Sequence, residues 1–169
     1  MKAVLDPCCG GKKFYFDKTA PFVIYGDIRD ESYTQCDGRI LQIKPDEKMD
    51  VTALPFNDES FALVVYDPPH LKNAGAQSYM AQSYGVLPKE DPLDFLARGF
   101  AECWRVLKLE GTLIFKWSEK DIPLHVVLKA LGRKPLLGNR RPRSQTFWLL
   151  FFKEKQHETH TRNRLATMA

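Results

Sequence analysis

The sequence predicts an α/β domain built on a mostly parallel central sheet flanked by helices. Three observations carry that expectation. Five apolar runs recur along the chain, and they are continuous rather than alternating, as in strands covered on both faces. An amphipathic helix beginning at Asp91-Pro92 separates two of them. A glycine-containing turn, Asp6-Pro7-Cys8-Cys9-Gly10-Gly11, directly follows the first run, which is where doubly wound sheets take ligands. Strands covered on both faces call for helices on both sides.

The strand runs are Lys2–Leu5, Phe22–Tyr25, Ala62–Tyr66, Thr112–Trp117 and Thr146–Lys153. The first three are followed closely by Asp6, Asp27 and Asp67. Residues 12–21, Pro21 among them, are all that lies between Gly11 and Phe22. A crossover helix with its turns needs more, so the first helix is expected to be very short or missing. In the best helix Asp91 caps and Pro92 takes the first position. Leu93, Leu96, Phe100, Cys103, Trp104 and Leu107 then recur at helical spacing, and Glu110-Gly111 ends the element. Cys103 and Trp104 read as core. A second helix covers Leu124–Leu131, stopped by Gly132. Leu71 to Glu90 is polar, with Gly75, Gly85 and Pro88. It reads as a long loop holding at most one helical turn, of the kind that serves as a lid.

At 169 residues, 44% hydrophobic and 27% charged, the chain fits one globular domain with a real core. Residues 1–153 make that domain, and 154–169 a polar tail expected to fray. No apolar run approaches the roughly 20 residues that cross a bilayer, and the apolar N-terminal stretch is too short for a signal peptide. Cys8 and Cys9 adjoin, Cys36 and Cys103 stand apart, and no CxxC pair exists for zinc. Reduced thiols, no metal, no membrane and a cytoplasmic location are therefore expected. The net charge of +4 is uneven, with Arg133, Lys134, Arg140, Arg141 and Arg143 close together. Such a stretch either contacts phosphates or is a solvated loop.

Each motif has a chemical and a bland reading. Glycines in the Asp6–Gly11 turn let backbone approach a ligand, though many nucleotide binders share such turns. Asp27 can accept both hydroxyls of a ribose, or be a turn aspartate. Asp50 can accept from an adenine amino group, with Leu54 and Phe56 as an apolar wall, or these are a loop aspartate and two core residues. Asp67-Pro68-Pro69-His70 is the sharpest signal. Two prolines after a strand make a rigid turn. The Asp67 carboxylate and the Pro68 carbonyl then form two fixed acceptors for an NH2 group, with the flat ring of His70 to stack on a base.

These motifs, in this order, resemble the class I S-adenosylmethionine-dependent methyltransferases, specifically their amino-methyltransferase branch. That branch pairs a DPxxGxG cofactor loop with a [DNS]PP[aromatic] tetrapeptide. Asp6, Pro7 and Gly10 match the first, and Asp67, Pro68 and Pro69 the second. Lys12 stands where the family has its last loop glycine, and His70 where it has Tyr, Phe or Trp. The resemblance spans about residues 2 to 153 and is similar to short stand-alone members from bacteria and their phages.

The resemblance implies a Rossmann-like methyltransferase fold with S-adenosylmethionine as cofactor. Asp6, Pro7 and the Cys8–Gly11 loop would hold its amino-acid end, Asp27 its ribose, and Asp50 with Leu54 its adenine. It implies a nucleic acid, DNA or RNA, as the partner. The target would be an exocyclic amino group, adenine N6 first and cytosine N4 second. The active site would be Asp67, Pro68, Pro69 and His70, with Tyr79 or Tyr84 closing over the base. A small-molecule or protein methyltransferase is the alternative enzyme. A binding module that has lost catalysis is the alternative outside enzymes, in keeping with Lys12 and the short first helix.

Overall fold

The computed structural model describes residues 2–75, 77–139 and 145–155. Strands β1 (Val4–Asp6), β2 (Val23–Asp27), β5 (Glu47–Lys48), β6 (Phe61–Tyr66), β7 (Leu107–Ser118), β8 (Leu137–Gly138) and β9 (Thr146–Phe152) form one sheet. Its order is β5-β2-β1-β6-β7-β9-β8. The first five in that order run parallel, β9 pairs antiparallel with β7, and β8 pairs antiparallel with β9. A separate hairpin pairs β3 (Glu31–Thr34) with β4 (Ile40–Ile43). The helices are α1 (Tyr79–Tyr84), α2 (Pro92–Val106) and α3 (Leu124–Leu131). None is long and apolar enough to cross a membrane.

All five expected strands are present. Helix α2 starts as the sequence indicates, with the Asp91 carboxylate accepting from the Asp94 amide at 3.0 Å. It ends earlier than expected. Leu107 already belongs to β7, and Glu110 adopts φ +61° at an irregularity where the β6–β7 register shifts. A Cβ on Gly111 would lie 2.8 Å from the Lys108 carbonyl oxygen, so the glycine closes this bulge rather than a helix. Gly132 does stop α3, in a left-handed conformation.

The two faces of the sheet are covered differently. One carries the main core: Leu5, Val64, Leu113, Phe115 and Trp117 from strands, Leu96, Phe100 and Cys103 from α2, Val127 from α3. Phe100 is its hub, 5.0 Å from Phe151 and 6.4 Å from Phe115 in edge contacts. The other face bears a small cluster of Cys9, Ala20, Val23 and Tyr25, with Val4 and Tyr15 against it. Residues 7–22, which form no helix, supply part of this cover. The missing first helix is thus as expected, whereas α2 and α3 both lie on the face of the main core. On the other face β7 alternates: Leu113, Phe115 and Trp117 are buried, but Ile114 and Lys116 between them are only partly so.

Phe100→Ala should destabilise the fold by about 3–5 kcal/mol in urea unfolding. Arg98→Ala, which loses only an exposed pair with Asp94, should shift stability by less than about 0.5 kcal/mol.

Candidate active site

The neighbours of β1 in the sheet are β2 on one side and β6 on the other. This is the switch point beyond whose carboxyl ends α/β sheets bind ligands. Three carboxyl groups converge there from adjacent strands: Asp27 ends β2, Asp6 ends β1, and Asp67 follows β6.

Asp6 is fully buried. Its Oδ1 accepts from the Cys8 amide at 3.1 Å and its Oδ2 from the Tyr15 hydroxyl at 3.0 Å. Burial pushes its pKa up to about 8, against those two hydrogen bonds, so it is largely protonated at neutral pH. It shapes the following turn and lines neither of the cavities described below. In that turn the Cys9 amide donates to Gly26 O at 2.8 Å, and the Gly10 amide to Asp27 Oδ2 at 2.9 Å. Gly10 has φ +49° and Lys12 φ +52°. Lys12 therefore adopts the left-handed conformation that a glycine takes without strain. Its ammonium sits 4.1 Å over the Tyr25 ring and 3.5 Å from Asp46. Burial raises the Cys8 and Cys9 thiols well above their ordinary range, which removes them as nucleophiles.

Asp27 is met by more donors than the sequence suggests. Arg29 donates to Oδ1 from its amide and Nε, both at 3.0 Å, and to Oδ2 from Nη2 at 3.2 Å. The Arg29 Nη1 donates onward to Gln82 O in α1 at 3.0 Å. A ribose at Asp27 must share that carboxylate with Arg29.

Asp67 is paired with Lys116, whose Nζ donates to Oδ2 at 2.6 Å. Burial raises the Asp67 carboxyl above its ordinary range, and Lys116 opposes that shift. Among the described residues its Oδ1 accepts no hydrogen bond. Pro68 is buried and Pro69 half-buried. His70 is half-buried, 5.7 Å from Tyr84 between ring centroids. Burial first, then Lys116, hold its imidazole below the usual range against Asp121, so it is an uncharged ring at neutral pH.

These groups border two adjoining cavities that share Cys8, Arg29, Asp67 and Tyr84. The larger, about 230 Å³, lies between Gly10 and Gly11 on one side and Asp67, Pro68, His70 and Lys116 on the other. The smaller, about 80 Å³, is lined by Pro7, Asp27, Ile28, Asp50, Val51, Pro69 and Phe95. Helix α1 caps them with Ser83 and Tyr84, its N-cap Ser78 accepting from Ala81 at 3.2 Å.

Most expected site residues thus meet in one cleft, with exceptions. Leu54 is buried in the core, its amide on Glu102 and its carbonyl on Arg105, and Phe56 packs edge-on against Phe61. Ile28, Val51 and Phe95 are among the apolar residues lining the smaller cavity. Asp50 is exposed, and one oxygen is taken by the Thr52 amide and hydroxyl. Of the basic stretch, Arg140, Arg141 and Arg143 lie outside the described residues. Arg133 stacks 4.2 Å over Trp104, near the start of β7 and away from the carboxyl ends. Arg29 and Lys116 are the residues the sequence reading missed. A lysine inside the otherwise apolar run Thr112–Trp117 was the available signal for Lys116.

No protein-family model matches the chain, and no curated protein does. Solved structures do resemble it. A protein from Pyrococcus horikoshii aligns with 90% of this chain and 82% of its own at 14% identity and a TM-score of 0.55. A TehB-like SAM-dependent methyltransferase from Corynebacterium glutamicum aligns over 91% and 80%, at 15% identity and a TM-score of 0.53. A SAM-dependent methyltransferase from Thermotoga maritima, described as a possible histamine N-methyltransferase, aligns over 90% and 82% at 12% identity and 0.50. The fold is that of the Rossmann-like methyltransferases.

The Asp6 carboxyl gives a pH test. A carboxyl raised in the folded state is protonated there while the unfolded chain ionises. Its contribution is full below the unfolded value of 3.8 and is lost as pH rises towards about 8. Stability of the parent should therefore fall over that window relative to Asp6→Asn, measured by urea unfolding at several pH values.

Proposed function

We propose that this protein is an S-adenosylmethionine-dependent methyltransferase of the amino-methyltransferase branch. Its substrate is an exocyclic amino group of a nucleic-acid base, adenine N6 before cytosine N4. The observation that carries this reading is Asp67, held through Oδ2 by Lys116 and followed by two prolines, which lines both the larger chamber and the more apolar one adjoining it.

The cofactor suits the two chambers. Ile28, Val51 and Phe95 offer a purine an apolar slot with Asp50 at its edge, and Asp27 in that slot accepts from the Gly10 amide, whose residue borders the larger chamber. The Gly10–Gly11 backbone borders that chamber, open to an amino-acid end. Bound there, the cofactor supplies an electrophilic methyl group on a positively charged sulfur.

The chain's own residues then prepare the nucleophile. An exocyclic amino nitrogen has its lone pair delocalised into the base. Asp67 Oδ1 and the Pro68 carbonyl accept its two N–H bonds and favour a pyramidal nitrogen, whose lone pair is freed for in-line attack. Lys116 opposes the effect of burial on the Asp67 carboxyl and occupies its Oδ2, so Asp67 acts as a fixed acceptor more than as a base. The methyl group would pass to that nitrogen while the cofactor's sulfur kept the bonding pair, and the surplus proton on nitrogen would leave to solvent. Positioning supplies most of the rate. Neutral His70 and Tyr84 flank the base as aromatic faces. A base taken from a duplex must first be extruded, and these faces offset part of the lost stacking.

Transfer of labelled methyl groups to DNA, RNA, protein and small-molecule fractions tests the reading, and label confined to protein or small molecules overturns it. Asp67→Ala should lower single-turnover methyl transfer by about 10²–10³ while leaving cofactor affinity nearly unchanged. His70→Ala should weaken base capture by about 1–3 kcal/mol. Asp27→Ala should weaken cofactor binding, measured by calorimetry, by about 1.5–3 kcal/mol. An unchanged dissociation constant would leave Asp27 as the partner of Arg29 alone.

A further inference from the structure

A second cavity system runs alongside the chamber. It is a groove of about 450 Å³ bordered by Gly10, Gly11 and strand β4, and it is lined by Lys12, Lys13, Lys18 and Lys44 with no acidic residue. It shares Gly10, Gly11 and Lys13 with the larger chamber, so the two are contiguous. Lys12 is held against Asp46 and Tyr25. Asp46 itself lies between Lys12 and Lys2. Lys13 donates to the Tyr79 hydroxyl at 3.0 Å and lies over the Tyr79 and Tyr84 rings. Lys18 and Lys44 are exposed, and among the described residues neither side chain makes an ion pair or hydrogen bond.

Uncompensated cations along a groove bind a ligand that carries repeated negative charge. We propose that this groove carries the sugar-phosphate backbone of a single-stranded nucleic acid, one base of which turns into the chamber. The inference rests on the nucleic-acid reading above and deepens it by naming the strand's path and form. The continuity at Gly10, Gly11 and Lys13 lets one strand occupy both spaces. The half-exposed ring of Tyr79, set beside Lys13 at the rim, offers a stacking face to a neighbouring base, the combination that single strands favour. A single strand also presents an unpaired base to a chamber capped by α1, with no pairing to break. The cationic surface that serves the site is then in the first third of the chain, not at Arg133.

The test is fluorescence anisotropy with a short labelled oligonucleotide of mixed sequence, titrated across salt, using the full chain and the Lys18→Ala, Lys44→Ala double variant. Both positions are exposed, and calorimetry with S-adenosylmethionine checks that the variant keeps its fold and cofactor site. The slope of log affinity against log salt should become shallower by roughly 0.7 per lysine, about 1.4 for the pair. The parent should prefer the single strand to the matching duplex, and polyglutamate should compete poorly. Equal slopes for parent and variant overturn the groove, as does no binding by the parent at low salt. Tighter binding of the duplex, or equal competition by polyglutamate, overturns the single-stranded partner. Lysine-dependent binding without methyl transfer to any nucleic acid would keep the groove and remove the proposed activity. Transfer that ignores the lysines would do the reverse.

Discussion

Three carboxyl groups gathered at one end of a sheet form the constraint around which this molecule is arranged. Charges so close in a weakly polar setting oppose one another and are costly to desolvate. Each is relieved differently. Asp6 keeps its proton and is wedged between an amide and the Tyr15 hydroxyl. Asp27 takes an arginine and two backbone amides. Asp67 takes the ammonium of Lys116. The turn after β1, the attachment of α1 and the placement of β7 all follow from these pairings.

The connection between β1 and β2 is the second determinant. With no helix there, aromatic rings do the covering. Phe14 stacks on Tyr15, Tyr15 meets Tyr25 edge-on, and Phe14 meets Trp148 edge-on at 5.2 Å. The β3–β4 hairpin fills the next connection. Both substitutions leave open space beside the turn, and that space is the lysine-lined groove.

The parts that sequence conveyed were those governed by local chemistry. Long apolar runs made strands, Asp91-Pro92 made a helix start, and the short span before Phe22 excluded a full helix. The parts it hid depend on pairing across the fold. Strands β3, β4, β5 and β8 are two to four residues long, too short to show a period. Leu54 looked like a cofactor wall because it follows Asp50 closely in sequence, yet Glu102 and Arg105 pull its backbone into α2's packing. Arg29 and Lys116 were hidden because a cation shows its role only once the carboxylate beside it is known. Helices were expected on both faces because apolar runs look alike whether helix or loop covers them.

The contact between Phe14 and Trp148 has a temporal meaning. These residues lie at opposite ends of the described chain, yet Phe14 borders the larger chamber and leans on a strand that enters the sheet last. Strand β8 precedes β9 in sequence and pairs only with it. A ribosome delivers residues in order, so most of the sheet can assemble while this wall is still without its support. Closing a loop of that length carries an entropy that local turns cannot offset until β9 is in place. Completion of the chamber therefore waits for β9, and a nascent copy whose Asp6–Gly11 turn has already formed still lacks the support of this wall.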